Sequence, residues 1–237
     1  MRICVVTPQP TPYRDPFWNT VAEQPGIELD VFYCYAKGDD RPWEIDWPFK
    51  FHAEVLPGRA WLGDHNGYWN PSILKKLRAK RYDAIILGGY NHLTMLAAAW
   101  YARRSAIPYY LMSEVYLRQP RSCIAKSLKG PFLRALLAYA AGGLPTGSLA
   151  KEYLMFYGLP EDKICFVPNS PDIIALKAAA KNYWTICNSE IRRSLGLDPR
   201  PMILFVGRLL ALKNVDKLIT AFRELTTAAS AQLVIIG

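Results

Sequence analysis

The sequence predicts an α/β protein whose parallel sheet carries helices on both faces. Three observations predict it. Short β-branched runs alternate with segments of helical period, the pattern made by parallel strands joined through helical crossovers. With 51% apolar and 13% aromatic residues over 237 positions, the chain is too apolar for a disordered segment and long enough to bury a large core. Neither a repeat of solenoid period nor a low-complexity run interrupts the alternation.

The elements follow in order. Ile3 to Thr7 reads as a buried strand and Tyr13 to Val21 as the next helix; Ile27 to Tyr35 is a second strand. Residues 37 to 70, rich in Trp, Pro, Gly and Asp, read as a long irregular excursion. Pro71 suits the first position of a helix whose apolar stripe is Ile73, Leu74 and Leu77. Ala84 to Leu87 is a third strand. Leu93, Leu96, Ala97 and Trp100 fall at i, i+3, i+4 and i+7, so a helix starts near His92, and Arg103 and Arg104 suit the negative end of its dipole. Ile107 to Met112 is the next strand, and a long helix covers 122 to 140. Ser148 is positioned to cap a helix that stops at Gly158, before a strand at Ile164 to Val167.

Residues 168 to 200, with Pro168, Pro171 and Pro199, read as a connection holding a short helix at Ser189 to Leu195. A fresh unit then begins. Met202 to Val206 is a strand, Gly207 to Lys213 a loop, Asn214 a cap, Val215 to Leu225 a helix and Gln232 to Ile236 a strand. One β-α-β unit cannot cover both faces of its own sheet. The expected organisation is therefore a domain over 1–171, followed by a linker and the first unit of an incomplete second domain over 172–237. The alternative is that the last two strands extend the first sheet.

Charge and motifs narrow the function. There are 29 Lys and Arg against 20 Asp and Glu, a net charge of +9. That favours phosphates, an anionic membrane surface or nucleic acid as partner. Nucleic acid gains no further support, because no RNP-like pattern accompanies the aromatics. The cysteines stand far apart at 4, 34, 123, 165 and 187 without a C-x-x-C, which argues against a disulfide framework or a zinc knuckle and for a reducing, cytoplasmic setting. The opening MRICVVTPQP has too short an apolar run for a signal peptide. Residues 84 to 102 lack charged side chains, but Gly88-Gly89-Tyr90-Asn91-His92 in their middle fits a strand, a glycine turn and a helix better than a membrane span. G-x-S-x-G, H-E-x-x-H, a Walker loop and a G-x-G-x-x-G after the first strand are all missing, which removes support for hydrolase, zinc-protease, P-loop and NAD-enzyme readings.

Ligands of open α/β sheets bind beyond the carboxyl ends of strands, at helix N-termini. Three loops there carry suitable chemistry. In Gly207 to Lys213, Arg208 offers a planar fork and Lys213 a point charge ahead of a helix start, a set that fits a diphosphate; the bland alternative is a solvated loop. In Pro8 to Arg14, three prolines stiffen the chain, and Tyr13 and Arg14 stand near a helix start where Arg14 can meet an anion or simply lie on the surface. In the third loop, Gly88 and Gly89 permit close approach of a ligand. His92 and Asn91, with Glu114 after the neighbouring strand, are candidates for binding hydroxyls, and His92 and Glu114 for acid/base work; a cap or packing role is the alternative for His92. Two basic stretches, 72–81 and 118–134, contain no acid and read either as solvated helix faces or as surfaces for anionic membrane. The cluster Trp43, Trp47, Trp61 and Trp69 either stacks sugar faces or packs.

The run ILFVGRLLALKNVDKLITAFREL, followed by LVIIG, resembles the start of the C-terminal domain of family 4 glycosyltransferases. Upstream, GSLAKEYLMFYGLPEDKICFVPNSPD resembles the end of their N-terminal domain. The resemblance implies a GT-B fold, two Rossmann-like domains, and retaining transfer of a sugar from a nucleotide-diphosphate donor to a hydroxyl of a glycan or lipid-linked acceptor, as in polysaccharide synthesis. It implies no further cofactor and no metal. Gly207, Arg208 and Lys213 match the family's donor-diphosphate loop, with the two cations steadying the leaving group. Tyr13, Arg14, Asn91, His92 and Glu114 would then face the acceptor. The sequence departs from the family in its proline-rich first loop and in Ser113-Glu114, where many members carry His. The family's E-x7-E segment would fall past Gly237, so weak activity of a truncated chain is expected. A non-catalytic acceptor- or lipid-binding module and a GT-B-like nucleotide-sugar epimerase are the alternatives.

Overall fold

In the computed structural model the apolar runs become β1(Arg2–Thr7), β2(Glu28–Tyr33), β3(His52–Val55), β4(Arg59–Ala60), β5(Tyr68–Trp69), β6(Ala84–Leu87), β7(Tyr109–Ser113) and β8(Gly142–Pro145). Between them stand α1(Asp15–Ala22), α2(Ser72–Ala79), α3(Leu93–Arg104) and α4(Cys123–Ala138), and α5(Ser148–Phe156) follows β8. After these come α6(Ile173–Trp184), α7(Asn188–Ser194), β9(Met202–Val206), α8(Val215–Leu225) and β10(Gln232–Ile236). The structure describes residues 1–38, 48–60, 67–117, 123–184, 188–225 and 230–237. The chain divides into two compact units, Met1–Ile173 and Ile174–Gly237.

The first unit is a six-stranded sheet of order β3-β2-β1-β6-β7-β8, parallel throughout. Alternation along each strand sorts its residues to two faces. Cys4, Val6, Phe32, Ile85, Leu87 and Leu111 pack with residues of α2, α3, α4 and α5. Ile3, Val5, Val31, Tyr33 and Met112 pack with Trp18 of α1. The central strand β1 is the most enclosed, with Cys4, Val5 and Val6 at 0% exposure. The parallel sheet with helices on both faces is thus as expected.

Several elements differ from expectation. The excursion over 37 to 70 contains β3, which lengthens the sheet by pairing Asp30 with His52 through to Tyr33 with Val55; a four-residue, half-exposed edge strand reading His-Ala-Glu-Val lacks an apolar run to announce it. The strand β8 reads Gly-Gly-Leu-Pro, against every strand propensity. A Cβ at Gly142 would stand 2.7 Å from the Lys163 carbonyl and one at Gly143 2.5 Å from Leu159 Cδ2, so close packing selects glycine there, and an edge strand tolerates Pro145. Ile164 to Val167 runs beside β8 through Cys165 N to Gly143 O and Val167 N to Pro145 O, each 3.0 Å, but makes only a bridge to Gly143, not a strand. The connection after Val167 contains the unpredicted helix α6, whose IIALKAAAK is apolar and alanine-rich. Pro71 and Gly147, not a first-turn Pro71 and Ser148, occupy the N-cap positions of α2 and α5. The Trp43, Trp47 and Trp61 readings lie outside the described residues, as do Arg118 and Arg121 of the second basic stretch.

In the second unit, β9 and β10 form a parallel two-stranded sheet of their own, from Met202 opposite Gln232 to Val206 opposite Ile236. They do not extend the first sheet. Among the described residues of this unit none is fully buried. No described helix of the chain is long and apolar enough to cross a membrane.

Candidate functional site

In the first unit the strand order turns at β1, between β2 and β6. A crevice opens beyond the carboxyl ends of strands at such a switch point. The loops that leave β1 and β6 are Pro8–Arg14 and Gly88–His92, two of the stretches singled out by sequence. They touch at their roots: Gly88 N donates to Val6 O at 2.8 Å, and a Cβ at Gly88 would meet Thr7 Oγ1 at 2.5 Å. Only glycine permits that approach.

The proline loop is anchored by Asp15. Its buried carboxylate accepts from the Thr11 N–H at 2.9 Å and from the Tyr33 hydroxyl at 2.8 Å. Burial, the Asp15 charge and this hydrogen bond all push the Tyr33 phenol far above its ordinary range. Sequence reasoning passed over Asp15, whose position just past three prolines was its only signal. Gln9 and Thr11 are 7% and 5% exposed, and Gln9 Oε1 and Thr11 Oγ1 have no hydrogen-bond partner among the described residues. Buried polar atoms left in this way are places for an ordered water or a ligand hydroxyl.

Arg14 ends the loop in a triangle of polar groups. Its Nη2 donates to Glu114 Oε1, and its Nε donates to Asn169 Oδ1 at 3.2 Å. Asn169 Nδ2 donates to the same Glu114 oxygen at 2.7 Å. The three residues leave β1, β7 and the extended segment beside β8, so they converge only on folding. The Arg14 side chain is 12% exposed and that of Glu114 42%. The arginine already faces a carboxylate, so this pair offers a ligand matched donors and acceptors, suited to hydroxyls, rather than a free cation for an anion. Asn169 was missed in the sequence; its one signal is an amide set between Pro168 and Ser170 directly after an apolar extended run.

His92 sits elsewhere in this picture. It is 2% exposed, and its Nδ1 accepts the Tyr68 N–H at 3.0 Å. A neutral ring accepting at Nδ1 carries its proton on Nε2. Its edge meets Tyr35 and Tyr68, with centroids 5.8 and 6.2 Å away. This is the packing role that was its alternative reading. Asn91 next to it is exposed, with its carbonyl taking the Gly67 N–H at 3.2 Å, and Tyr13 is half-buried. The structure therefore brings Arg14 and Glu114 into contact and encloses His92 among aromatic rings.

The second unit holds its candidate site in one continuous stretch. β9 is followed by Gly207, whose φ of +156° suits glycine, and whose N–H donates to Ile236 O at 2.9 Å. A Cβ on Gly237 would stand 2.8 Å from Gly207 O, so the carboxyl ends of the two strands lie against each other. The chain then makes a 3-10 turn over Ala211–Lys213 and passes through Asn214, at a left-handed φ of 51°, into α8. Asparagine is among the few residues that adopt this conformation readily. Arg208 and Lys213 are both exposed, at the two ends of the loop. Strand end, two cations and the free N–H groups of a helix start are the parts of an anion site.

The family model for glycosyl transferases group 1 matches residues 188–237. No curated protein sequence matches the chain. Among solved structures, the UDP-GlcNAc 2-epimerase of Methanocaldococcus jannaschii is similar, at 16% identity and a TM-score of 0.56, over 99% of this chain and 65% of that one. The Neisseria meningitidis UDP-GlcNAc 2-epimerase, solved with UDP-GlcNAc, is similar at 14% identity and 0.56, over 99% and 66%. HepE from Anabaena, solved with UDP, is similar at 14% identity and 0.61, over 99% and 62%. The chain thus spans about two thirds of the length of these structures or slightly less. At such identities the likeness establishes the fold, a GT-B-like Rossmann architecture.

Proposed function

We propose that this chain carries the acceptor-side domain and the opening of the donor domain of a retaining glycosyltransferase that uses a nucleotide-diphosphate sugar. The observation that carries the reading is the continuous Gly207–Asn214 loop, set at the end of a parallel strand pair and inside the segment matched by the glycosyl transferase model. That HepE and the Neisseria epimerase were solved with UDP or UDP-GlcNAc supports a nucleotide-diphosphate donor.

The chemistry asked of the loop is electrostatic. As the glycosidic bond to the donor opens, negative charge develops on the departing diphosphate. Arg208 and Lys213 would bind these oxygens and stabilise that charge, assisted by the α8 N-terminus. Gly207 would let the backbone approach the phosphates. In the first unit, Glu114 would accept a hydrogen bond from an acceptor hydroxyl, Arg14 would hold the carboxylate in place, and Tyr13 and Asn91 would border the acceptor. Gln9 and Thr11 add two buried polar atoms to the same loop.

Titration calorimetry with UDP tests the donor reading. The chain should bind UDP, and Arg208→Ala should weaken binding roughly 10-fold to 100-fold, the cost of about one charge-assisted hydrogen bond. Unchanged affinity in both Arg208→Ala and Lys213→Ala would overturn it. The likeness to two epimerases supports one rival reading, in which UDP-sugar is turned over without an acceptor; incubation with UDP-sugar separates them, since transfer requires added acceptor and releases UDP in step with product.

A further inference from the structure

We infer that the amino-terminal end of the first unit's sheet is a docking surface for an anionic lipid bilayer. It lies at the opposite end of the strands from the proline loop, Gly88 and Glu114, and stands without the transferase reading.

The surface assembles where α2, α3 and α4 finish, because helices that cross between parallel strands deliver their C-termini to the strands' starts. Trp100, Arg103 and Arg104 share one face of α3 at i, i+3 and i+4. The Arg104 guanidinium lies 5.7 Å from the Trp100 ring centroid, and that of Arg103 lies 3.5 Å from the ring of Tyr139, just past α4. The Tyr101 hydroxyl donates to Leu77 O at 3.1 Å, which ties the end of α2 to this helix. Between them an open hollow of about 480 Å³ is lined in part by Arg78, Lys80, Arg81, Asp83, Tyr101 and Ser105. All four arginines are exposed, and none forms an ion pair among the described residues.

The acids at this end are already engaged. Asp83 accepts the Arg2 N–H at 2.7 Å, Glu28 pairs with the Arg2 side chain at 2.7 Å, and buried Asp30 takes Lys80 at 2.7 Å and the Tyr82 hydroxyl at 2.6 Å. The sequence keeps the surroundings equally one-sided: between Asp83 and Glu152 the only acid is Glu114, which belongs to the other end of the sheet. What remains, among the described residues, is a positive surface on which the four arginines outnumber Asp83, the one acid lining the hollow. A polyanion is its complement.

The aromatic rings select the kind of polyanion. Trp100 is 52% exposed and Tyr139 53%, each with a guanidinium over its face. Amphipathic rings flanked by arginine are the residues that settle at the headgroup layer of a bilayer, and the hollow beside them can seat one phosphate headgroup. A polyanion without bases would use the charges and gain little from the rings, and a stacking base would find Arg103 and Arg104 already over one face of each.

Co-sedimentation with vesicles of phosphatidylcholine, with or without phosphatidylglycerol, tests the inference. The chain should partition onto the anionic vesicles only. Replacing the four arginines together (R78Q, R81Q, R103Q, R104Q) should weaken partitioning roughly 100-fold or more, at about five-fold per cation. The same loss of charge placed on exposed cations of the second unit (K177Q, K181Q, R193Q, K217Q) should weaken it far less. The tryptophan emission of the wild type should shift to the blue on anionic vesicles, and Trp100→Phe should remove that shift. Equal losses from both quadruple variants, binding to neutral vesicles, an unshifted spectrum, or binding to an oligonucleotide without binding to vesicles would each overturn it. All replaced residues are exposed, and a matching thermal melt confirms that the variants fold.

Discussion

The two units are built from the same strand-helix-strand pattern and bury very different amounts of it. In the first, β1 is enclosed on both faces and flanked by parallel neighbours, and residues such as Val5, Leu87 and Leu111 are at 0% exposure. In the second, β9 and β10 pair in perfect parallel register, yet Leu204 remains 50% exposed and Val206 68%. Their candidate sites differ in the same sense. The second unit's loop is continuous from Gly207 to Asn214 and depends on local backbone geometry. The first unit's triangle joins residues 14, 114 and 169, and exists only because the whole sheet is assembled. A local loop can be legible in the sequence without a core beneath it, whereas a composite site inherits the stability of everything that holds it.

The largest effect that would test this contrast is a matched pair of core truncations. Leu111→Ala should cost about 2–5 kcal/mol, because it removes a fully enclosed side chain and leaves a cavity. Leu204→Ala should cost less than about 1 kcal/mol, as its side chain is already half in water. Urea unfolding followed by circular dichroism reads both; equal costs would break the comparison.

Next in size comes Asn70, which is 0% exposed and pins the excursion of β4 and β5 to the sheet. Its Nδ2 donates to Cys34 O at 3.0 Å and to Leu56 O at 2.8 Å, and its Oδ1 accepts from the Thr94 hydroxyl at 2.8 Å. Asn70→Ala strips two buried carbonyls of their donor, at about 1–3 kcal/mol for each group left unsatisfied. The same unfolding experiment should show a loss of at least about 2 kcal/mol. A loss under about 0.5 kcal/mol, the range of ordinary surface changes, would mean that the pin holds nothing.

How much of this was legible follows the same division. Strands with apolar runs and helices with clean stripes stood out in the sequence, as did the Gly207–Asn214 loop, because all their signals are local. The strand β8 did not, because Gly142 and Gly143 are chosen by the approach of Lys163 and Leu159, which lie some twenty residues on in the chain. Asn70, Asp15 and Asn169 were invisible for the same reason: each is defined by partners from other elements. Arg14 and Glu114 could be placed at strand ends, but nothing in their spacing told that they would face each other. His92 was found as a residue of interest, and its burial against Tyr35, just past β2, and Tyr68 of β5 came from contacts between distant elements that the sequence did not reveal.

Acid sharpens the comparison further. Burial works against the Asp30 carboxylate, but hydrogen bonds from Lys80 and Tyr82 and the nearby Lys80 and His52 charges outweigh it, holding its pKa below the ordinary value. A carboxyl whose folded pKa is depressed contributes stability above its unfolded pKa, about 3.9, and loses it as pH falls through the lower folded value. Wild-type stability should therefore drop below about pH 4, while Asp30→Asn should be less stable at neutral pH by about 1–2 kcal/mol and show a shallower acid loss. Asp198 in the second unit is also depressed, by its hydrogen bonds to Arg200, but it lies exposed, where solvent screens the pair. Asp198→Asn should leave the pH profile of the first unit's unfolding unmoved. Parallel profiles for Asp30→Asn and wild type would show that the buried cluster contributes nothing.

The smallest expected effect bears on the composite site itself. The Arg14–Glu114 pair opens to water on its Glu114 side, and ion pairs in contact with solvent are worth about 0.2–1 kcal/mol. Asn169 donates to the Glu114 oxygen and accepts from Arg14 at once, so it restricts both side chains to the paired geometry before they meet. A double-mutant cycle of Arg14→Ala and Glu114→Ala should give a coupling near the upper end of that range, about 1 kcal/mol. Repeated in an Asn169→Ala background, the coupling should fall by about half, while Asn169→Ala alone changes stability by no more than about 0.5 kcal/mol. A purely structural asparagine would lower stability and leave the coupling as it was. If the coupling is the same in both backgrounds, the three residues are neighbours and not a unit, and the first unit's site is as local as the second's.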